Sequence, residues 1–330
     1  MKLIRKIIRK MQVVRQVFRG YKTYVSLTME YGEDCHFFIA PFPGTGDTYY
    51  DCQVLPQYCR ENQIDNYTLL TDSRQCHDAA LLFPKTSILF CQALGDLICF
   101  NAHVKCLPNI HFLHYDGPRF YLGILRHLRG INGLNFWDLL WLWIPETMAL
   151  HREAPVFEDV GIQNYIRENK LQKGKSVILA TYAKTVPLLS NKFWEKLASD
   201  LLDAGYHVYT NCTGKGADLP VKGTSQILIP YTQLKPVLEF CGVYIGLRSG
   251  LTDILETVDC TKIVLYPRFF PKGHGSSLEN YSFKNIGRND FVECIYNDKR
   301  HMKLLSPNHQ ELVEDDIVLI DKILNYLENR

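Results

Sequence analysis

The 330-residue chain is marked first by what it lacks. Its longest apolar stretch, FWDLLWLWI at residues 136–144, is about half of the roughly 20 residues that a bilayer span requires, so no transmembrane helix is expected. The first residues, KLIRKIIRKMQVVRQVF, are broken by a charge every few positions and hold no uninterrupted apolar core, which excludes a secretory signal. The 11 cysteines form no CxxC pair, so a structural zinc site is not expected. Their odd number and their place in apolar runs, such as Cys91 and Cys99 in ILFCQALGDLICF, fit buried, inert thiols in a reducing compartment. Net charge is also nearly absent. With 37 Lys and Arg against 35 Asp and Glu, the chain carries +2, which argues against a general nucleic-acid binder.

What is present is a composition of 46% apolar and 22% charged residues, enough to bury a large core and, at this length, to build two domains. The near-zero charge hides an asymmetry. Residues 1–29 hold eight basic side chains (Lys2, Arg5, Lys6, Arg9, Lys10, Arg15, Arg19 and Lys22) and no acid, leaving 29 basic against 35 acidic residues, or −6, on the rest. Within residues 3–18, Leu3, Ile4, Ile7, Ile8, Met11, Val14, Val17 and Phe18 recur every three or four positions, with Arg and Lys between them. This basic amphipathic helix fits an anionic membrane surface through residues 1–22, each cation contributing on the order of 1 kcal/mol there. The alternative is an ordinary helix packed on the body with its basic face in water.

From Cys35 onward, short apolar strands alternate with helical patterns. Strands are expected at HFFIA, NYTLLT, TSILF and IHFLHY, with helices at CQVLPQYCREN, RQCHDAALLF and residues 92–100. The composition turns polar near residues 169–176, and the alternation restarts with SVILATY, a helix over 191–204 stopped by Gly205, YHVYTNC, QILIP, a helix over 234–240, VYIGL, a helix from about Leu251, and KIVLYP. This alternation predicts an α/β chain of two doubly wound parallel-sheet halves. The expected organisation is a basic segment at 1–29, an N-terminal domain at 30–170 and a C-terminal domain at 171–330, with the last helix packing back on the N-terminal domain. Ligands of such sheets sit at the carboxyl ends of the strands.

Two loops stand at such ends. The first, Pro41-Phe42-Pro43-Gly44-Thr45-Gly46-Asp47-Thr48, precedes a helix. It has no Walker lysine and no third dinucleotide-type glycine, and Asp47 serves equally well as a helix N-cap or as a catalytic carboxylate. The second, Gly246-Leu247-Arg248-Ser249-Gly250-Leu251-Thr252-Asp253, again opens a helix. Its amides suit a diphosphate with Arg248 as a charged partner; the alternative is a capped helix carrying an exposed Arg.

FIAPFPGTGDTYYDCQVLPQYCRENQIDNYTLLT resembles the opening of bacterial heptosyltransferases and related family 9 glycosyltransferases, where a Gly-Asp turn after the first strand leads into a helix. ATYAKTVPLLSNKFWEKLASDLLDAGYHVYTNC and FCGVYIGLRSGLTDILETVDCTKIVLYP resemble their donor-binding half, so the likeness covers roughly residues 35–90 and 170–270. The resemblance implies a GT-B fold, two Rossmann-like domains facing a central cleft, with a nucleotide-sugar donor in the C-terminal domain and an acceptor in the N-terminal one. It implies inverting transfer with no metal and no cofactor, the nucleotide-sugar being a substrate. By position, Asp47 matches the proposed base; Ser249, Gly250, Leu251 and Thr252 match the loop that meets the donor phosphates; Thr181 and Lys184 lie at a strand end where further phosphate contacts fall. The family's loop commonly reads Asp-Thr/Ser-Gly followed by a His. Arg248 and Asp253 stand here instead, which argues against ADP-heptose as donor and brings the chain nearer to transferases of bacterial capsule and O-antigen clusters.

The expected function is transfer of a sugar from a nucleotide-sugar to a hydroxyl of a lipid-linked bacterial surface glycan, as in capsule or lipopolysaccharide synthesis, by a peripheral enzyme on the cytoplasmic face of the cell membrane. Asp47 takes the hydroxyl proton; the helix N-terminus at Ser249 to Asp253, with Arg248 and Lys184, stabilises the departing diphosphate. Rivals are a non-catalytic nucleotide-sugar binding protein and another GT-B enzyme such as a nucleotide-sugar epimerase. Gly44, Thr45, Gly46 and Arg119 are expected beside the acceptor. HYDGPRFYLGILRHLRGINGLNFW, with Arg119, Arg126, His127 and Arg129, suits a phosphate-bearing or polyprenyl acceptor or a surface helix, and PRFFPKGHGSSLENY offers Lys272, His274 and Ser276. The remaining histidines, among them His36, His77, His103, His111 and His114, show no ligand spacing.

Overall fold

A computed structural model describes residues 2–39, 44–104, 107–112, 151–184, 188–267, 301–306 and 314–329. Arg119, Arg126, His127, Arg129 and His114, like Lys272, His274 and Ser276, lie outside the described residues. Among those described, residues up to Val156 form one compact unit and those from Phe157 a second.

The first unit runs α1 (Lys2–Tyr31), β1 (His36–Ile39), α2 (Thr45–Glu61), β2 (Tyr67–Thr71), α3 (Arg74–Ala80), β3 (Ile88–Phe90), α4 (Leu94–His103) and β4 (Ile110–Phe112). Its strands pair in parallel in the order β3-β2-β1-β4. β1 is central and apolar on both faces, as a strand covered on both sides must be; Phe37, Phe38 and Ile39 are each no more than 1% exposed.

The N-terminal helix is longer than its sequence pattern suggests. α1 continues to Tyr31, and its second half packs on α4 with Leu27 buried and Val17, Tyr24 and Tyr31 partly so. Gly20 makes this contact possible: a methyl group there would collide with the Asp96 carbonyl and lie 2.6 Å from Cβ of Phe100. Arg19 donates to Asp96 at 2.7 and 3.0 Å beside this crossing.

The second unit runs α5 (Ile162–Glu168), β5 (Ser176–Ala180), α6 (Asn191–Asp203), β6 (His207–Asn211), β7 (Ser225–Ile227), α7 (Leu234–Cys241), β8 (Gly242–Leu247), α8 (Gly250–Ile254), β9 (Thr261–Pro267), β10 (His301–Ser306) and α9 (Glu314–Glu328). Its six parallel strands lie in the order β10-β9-β8-β5-β6-β7, the doubly wound 3-2-1-4-5-6 order read from the other edge. α6 shows why these residues form these elements. Ser190 caps it by accepting from the Phe193 amide at 3.1 Å, Phe193, Trp194, Leu197, Ala198 and Leu201 face the core at helical spacing, and Gly205 follows with φ +83°.

Two expectations change. The segment 45–50, expected as a turn, forms the first turns of α2, because Gly44 rather than Asp47 occupies the N-cap. Leu319, Ile320, Ile323 and Leu327 of α9 join Phe193, Leu197 and Leu201 in the core of the second unit, which buries the one apolar stripe α9 has. The break between the units falls at Val156–Phe157 rather than near 170, so α5 belongs with the second sheet.

The nine described cysteines are free, and all but Cys99 are buried. Burial pushes the thiols of Cys59 and Cys241 up to about 12, which leaves them unreactive. Among the described residues no helix is long and apolar enough to cross a membrane.

Between β1 and β4, His36 Nδ1 lies 2.7 Å from His111 Nε2 and the two rings stack at 4.9 Å, with Phe38 on the other side of His111 at 4.7 Å. Burial, and secondarily the neighbouring His36, push His111 down to about 4. An unfolded His titrates near 6.5, so between these values the unfolded chain binds the additional proton. Stability is therefore expected to be full above pH 6.5 or so and to fall as pH drops towards about 4; urea midpoints at pH 7 and pH 5 should differ in that sense, and His111→Leu should reduce the difference.

Candidate functional site

In the first unit the carboxyl ends of β1 and β2 lead into α2 and α3. Asp47 stands in the first turn of α2, where the helix dipole favours a negative charge. Its carboxylate folds over the N-cap: a methyl group on Gly44 would collide with Asp47 Oδ2. Thr45 and Gly46 are the first two residues of the helix, with Gly46 buried and Asp47 half-exposed. Cys76 of α3 lies close by. Its thiol is pushed up chiefly by burial, opposed by hydrogen bonds to Thr48 and Ser73 and reinforced by the carboxylates of Asp47 and Asp72. Asp72, exposed just past the end of β2, thus shares the edge with Asp47. Sequence reasoning missed Asp72; its position immediately after an apolar strand was the available signal.

In the second unit the topological switch lies between β5 and β8, where the chain leaves β5 towards β6 and β8 towards β9. The register pairs Ala180 with Gly246, so the loops beginning at Thr181 and at Arg248 emerge side by side. Thr181 is half-buried and Lys184 exposed, while Ser249, Gly250 and Leu251 are half-buried at the start of α8. The first amides of a helix have no acceptor within it and point outward. The Ser249 amide is instead used locally, donating to the Thr252 hydroxyl at 3.3 Å.

Arg248 differs from both sequence expectations, being neither exposed nor turned outward as a free cation. It is 4% exposed, and its guanidinium pairs with the Asp253 carboxylate at 2.9 Å while donating to the Thr252 hydroxyl at 3.2 Å and to the Ser249 carbonyl. Arg248, Thr252 and Asp253 thus form the inner frame of the loop, and Ser249, Gly250 and Leu251 its outer surface. Beneath the frame lies Tyr244, fully buried, whose phenol any side chain at Gly246 would strike. Lys262 secures the segment from below: its buried ammonium donates to the carbonyls of Leu255 at 3.2 Å and Val258 at 2.7 Å, closing the turn that follows α8. A lysine inside the apolar run KIVLYP was the signal for that role. Among the described residues no three His, Cys, Asp or Glu side chains come together as a metal site.

The ion pair sets a clear expectation. Removing one partner of a buried pair typically costs about 3–5 kcal/mol, whereas replacing both with apolar groups of similar size is far milder. Asp253→Asn should lower unfolding stability by about that amount in urea denaturation, and the double variant Arg248→Met, Asp253→Leu should recover most of the loss.

No protein-family model and no curated protein matches the chain. Solved structures do. ADP-heptose lipopolysaccharide heptosyltransferase II of E. coli aligns at a TM-score of 0.55 and 10% identity, over 89% of this chain and 99% of its own. E. coli heptosyltransferase WaaC with ADP-2-deoxy-2-fluoro heptose aligns at 0.50 and 10% identity, over 89% of this chain and 100% of its own. With two doubly wound parallel sheets matched along nearly their whole length, the chain has the GT-B fold of these heptosyltransferases.

Proposed function

We propose that the protein is a glycosyltransferase that moves a sugar from a nucleoside-diphosphate sugar to a hydroxyl of a lipid-linked glycan. The observation that carries this reading is the pair of loops at the carboxyl edges of the two sheets: one presents a carboxylate, the other helix-start amides beside a lysine. These are the two chemical needs of an inverting transfer. A base must take the acceptor's proton as the hydroxyl oxygen attacks the anomeric carbon, and fixed dipoles must receive the negative charge that develops on the diphosphate. Both structural neighbours are heptosyltransferases and one holds an ADP-sugar, which supports a nucleotide-sugar donor.

In this mechanism Asp47 accepts the proton. The amides at Gly250 and Leu251 and the ammonium of Lys184 take up the leaving diphosphate, with Thr181 at its side. Arg248, Thr252 and Asp253 keep the loop in shape from within. The departing charge falls on protein dipoles and a lysine, so transfer should persist in EDTA. The acceptor is a surface glycan under assembly on the cytoplasmic leaflet.

The first test is binding. In a thermal-shift panel of UDP, GDP, ADP, CMP and TDP compounds, one nucleotide should stabilise the chain well above the others, since a ligand specific for the folded state adds about 2.7 kcal/mol at a hundredfold excess over its Kd. No shift with any of them would remove the donor site. Transfer of labelled sugar only when acceptor is present separates a transferase from a binding protein and from an epimerase.

The second test is Asp47→Asn. Turnover should fall at least about 100-fold, the low end of general-base effects, while folding loses no more than about 1 kcal/mol from the helix dipole. Near-normal kcat would take Asp47 out of the chemistry.

A further inference from the structure

α1 carries two apolar faces. At about 100° per residue, Val17, Gly20, Tyr24, Leu27 and Tyr31 share one arc, and this is the arc that packs on the first unit. Ile4, Ile7, Ile8, Met11, Val14 and Phe18 share another, about 120° wide and centred roughly opposite the first. These six side chains are 49–68% exposed, which makes them the largest run of uncovered apolar side chains on any described helix.

The charges around this arc are of one sign. Residues 1–29 hold eight Lys and Arg and no Asp or Glu, while the rest of the chain is net acidic. Arg5, Lys10, Arg15 and Lys22 are exposed; Arg15 and Lys22 fall within the angular range of the arc itself, the Lys22 ammonium sitting 4.8 Å above the Phe18 ring at its C-terminal end. A second copy of the same helix laid on this face would set cation against cation along its whole length. Anionic lipid headgroups satisfy the cations and the acyl region takes the apolar arc.

The direction of the helix adds a further point. α4 begins four residues after β3 ends, so its first turn lies at the carboxyl edge of the first sheet. α1 meets that turn at Arg19, bonded to Asp96, and then follows α4 towards its far end, with Tyr21 and Tyr24 against Phe100 and the Tyr24 hydroxyl donating to Asn109 at 3.1 Å just before β4. Residues 2–14 therefore run past the carboxyl edge, for about 20 Å. That is the edge on which Asp47 stands, because α2 likewise starts at a strand's carboxyl end.

We propose that residues 4–18 of α1 lie in the interface of an anionic lipid leaflet, with the arc from Ile4 to Phe18 turned into the lipid, and hold the carboxyl edge of the first sheet beside that leaflet. Lipid binding stands on the geometry of α1 alone; only its purpose, meeting a lipid-linked acceptor, rests on the transferase reading.

The test is co-sedimentation of the full chain with vesicles of phosphatidylcholine, alone or with about 30% phosphatidylglycerol, at low and high salt. The wild-type chain should sediment with the anionic vesicles, less so in high salt, and remain in solution with the neutral ones. Ile7→Ser with Met11→Ser should weaken the anionic binding at least tenfold while leaving the urea unfolding midpoint unchanged, since both side chains are exposed. Failure of the wild-type chain to bind, or equal binding by the double variant, overturns the proposal. So does a dimer in solution that the double variant dissolves, which would assign the face to a second copy. Absence of sugar transfer would leave the binding result standing, so the two readings fail separately.

Discussion

Parallel strands can be joined only by a connection that recrosses the sheet, and the rest of the molecule is laid out by that constraint. Each loop that follows a strand must emerge at the same edge, and each helix must run back to the opposite one. In the second sheet the chain moves outwards from β5 in one direction and from β8 in the other, so right-handed crossovers send their helices to opposite faces and leave a crevice between the two strand ends. Pairing of Ala180 with Gly246 then decides which residues stand there. Asp47 owes its position to the same rule in the first sheet, as does the N-terminal arm of α1, which passes α4 at that edge.

The loop after β8 shows how such an edge is kept in shape. An arginine buried to 4% exposure must have its charge met, and Asp253, five residues on, meets it. The pair ties the start of the loop to the first turn of α8, with Thr252 bonded to both Arg248 and Ser249 between them. The loop consequently contributes little net charge of its own. What it offers outward is the dipole of its amides, and the exposed formal charge beside it is that of Lys184 on the neighbouring loop.

Most of the strand pattern was legible in the sequence because these strands are buried on both faces and read as short apolar blocks. The boundaries of α6 were legible because Ser190 and Gly205 are chemically specific caps. The start of α2 was hidden: Gly-Thr-Gly-Asp reads as a turn, and only the fold reveals that Gly44 takes the N-cap so that Asp47 can close over it. The inward direction of Arg248 was hidden for a different reason, since a sequence gives the sign of a charge and not the direction of its side chain. α1 concealed two faces in one pattern. Val17 belongs to the packed arc and Phe18 to the exposed one, yet both fit a single apolar periodicity when the stretch is read alone.

On the proposed reading, the chemistry is divided between two edges that are each insufficient. A general base contributes about 10²–10⁴ in rate, and one preorganised donor on a developing anion about 10²–10³. Asp47 alone would leave the diphosphate to depart without assistance, and the amides at Gly250 and Leu251 alone would leave the acceptor hydroxyl protonated as it attacks. The buried pair behind those amides supports the donors' contribution indirectly, because donors stabilise a transition state only if they are already aimed before charge develops. If the frame of Arg248, Thr252 and Asp253 relaxed, the amides would have to be reoriented during the reaction, and the advantage of a fixed dipole over water would be lost.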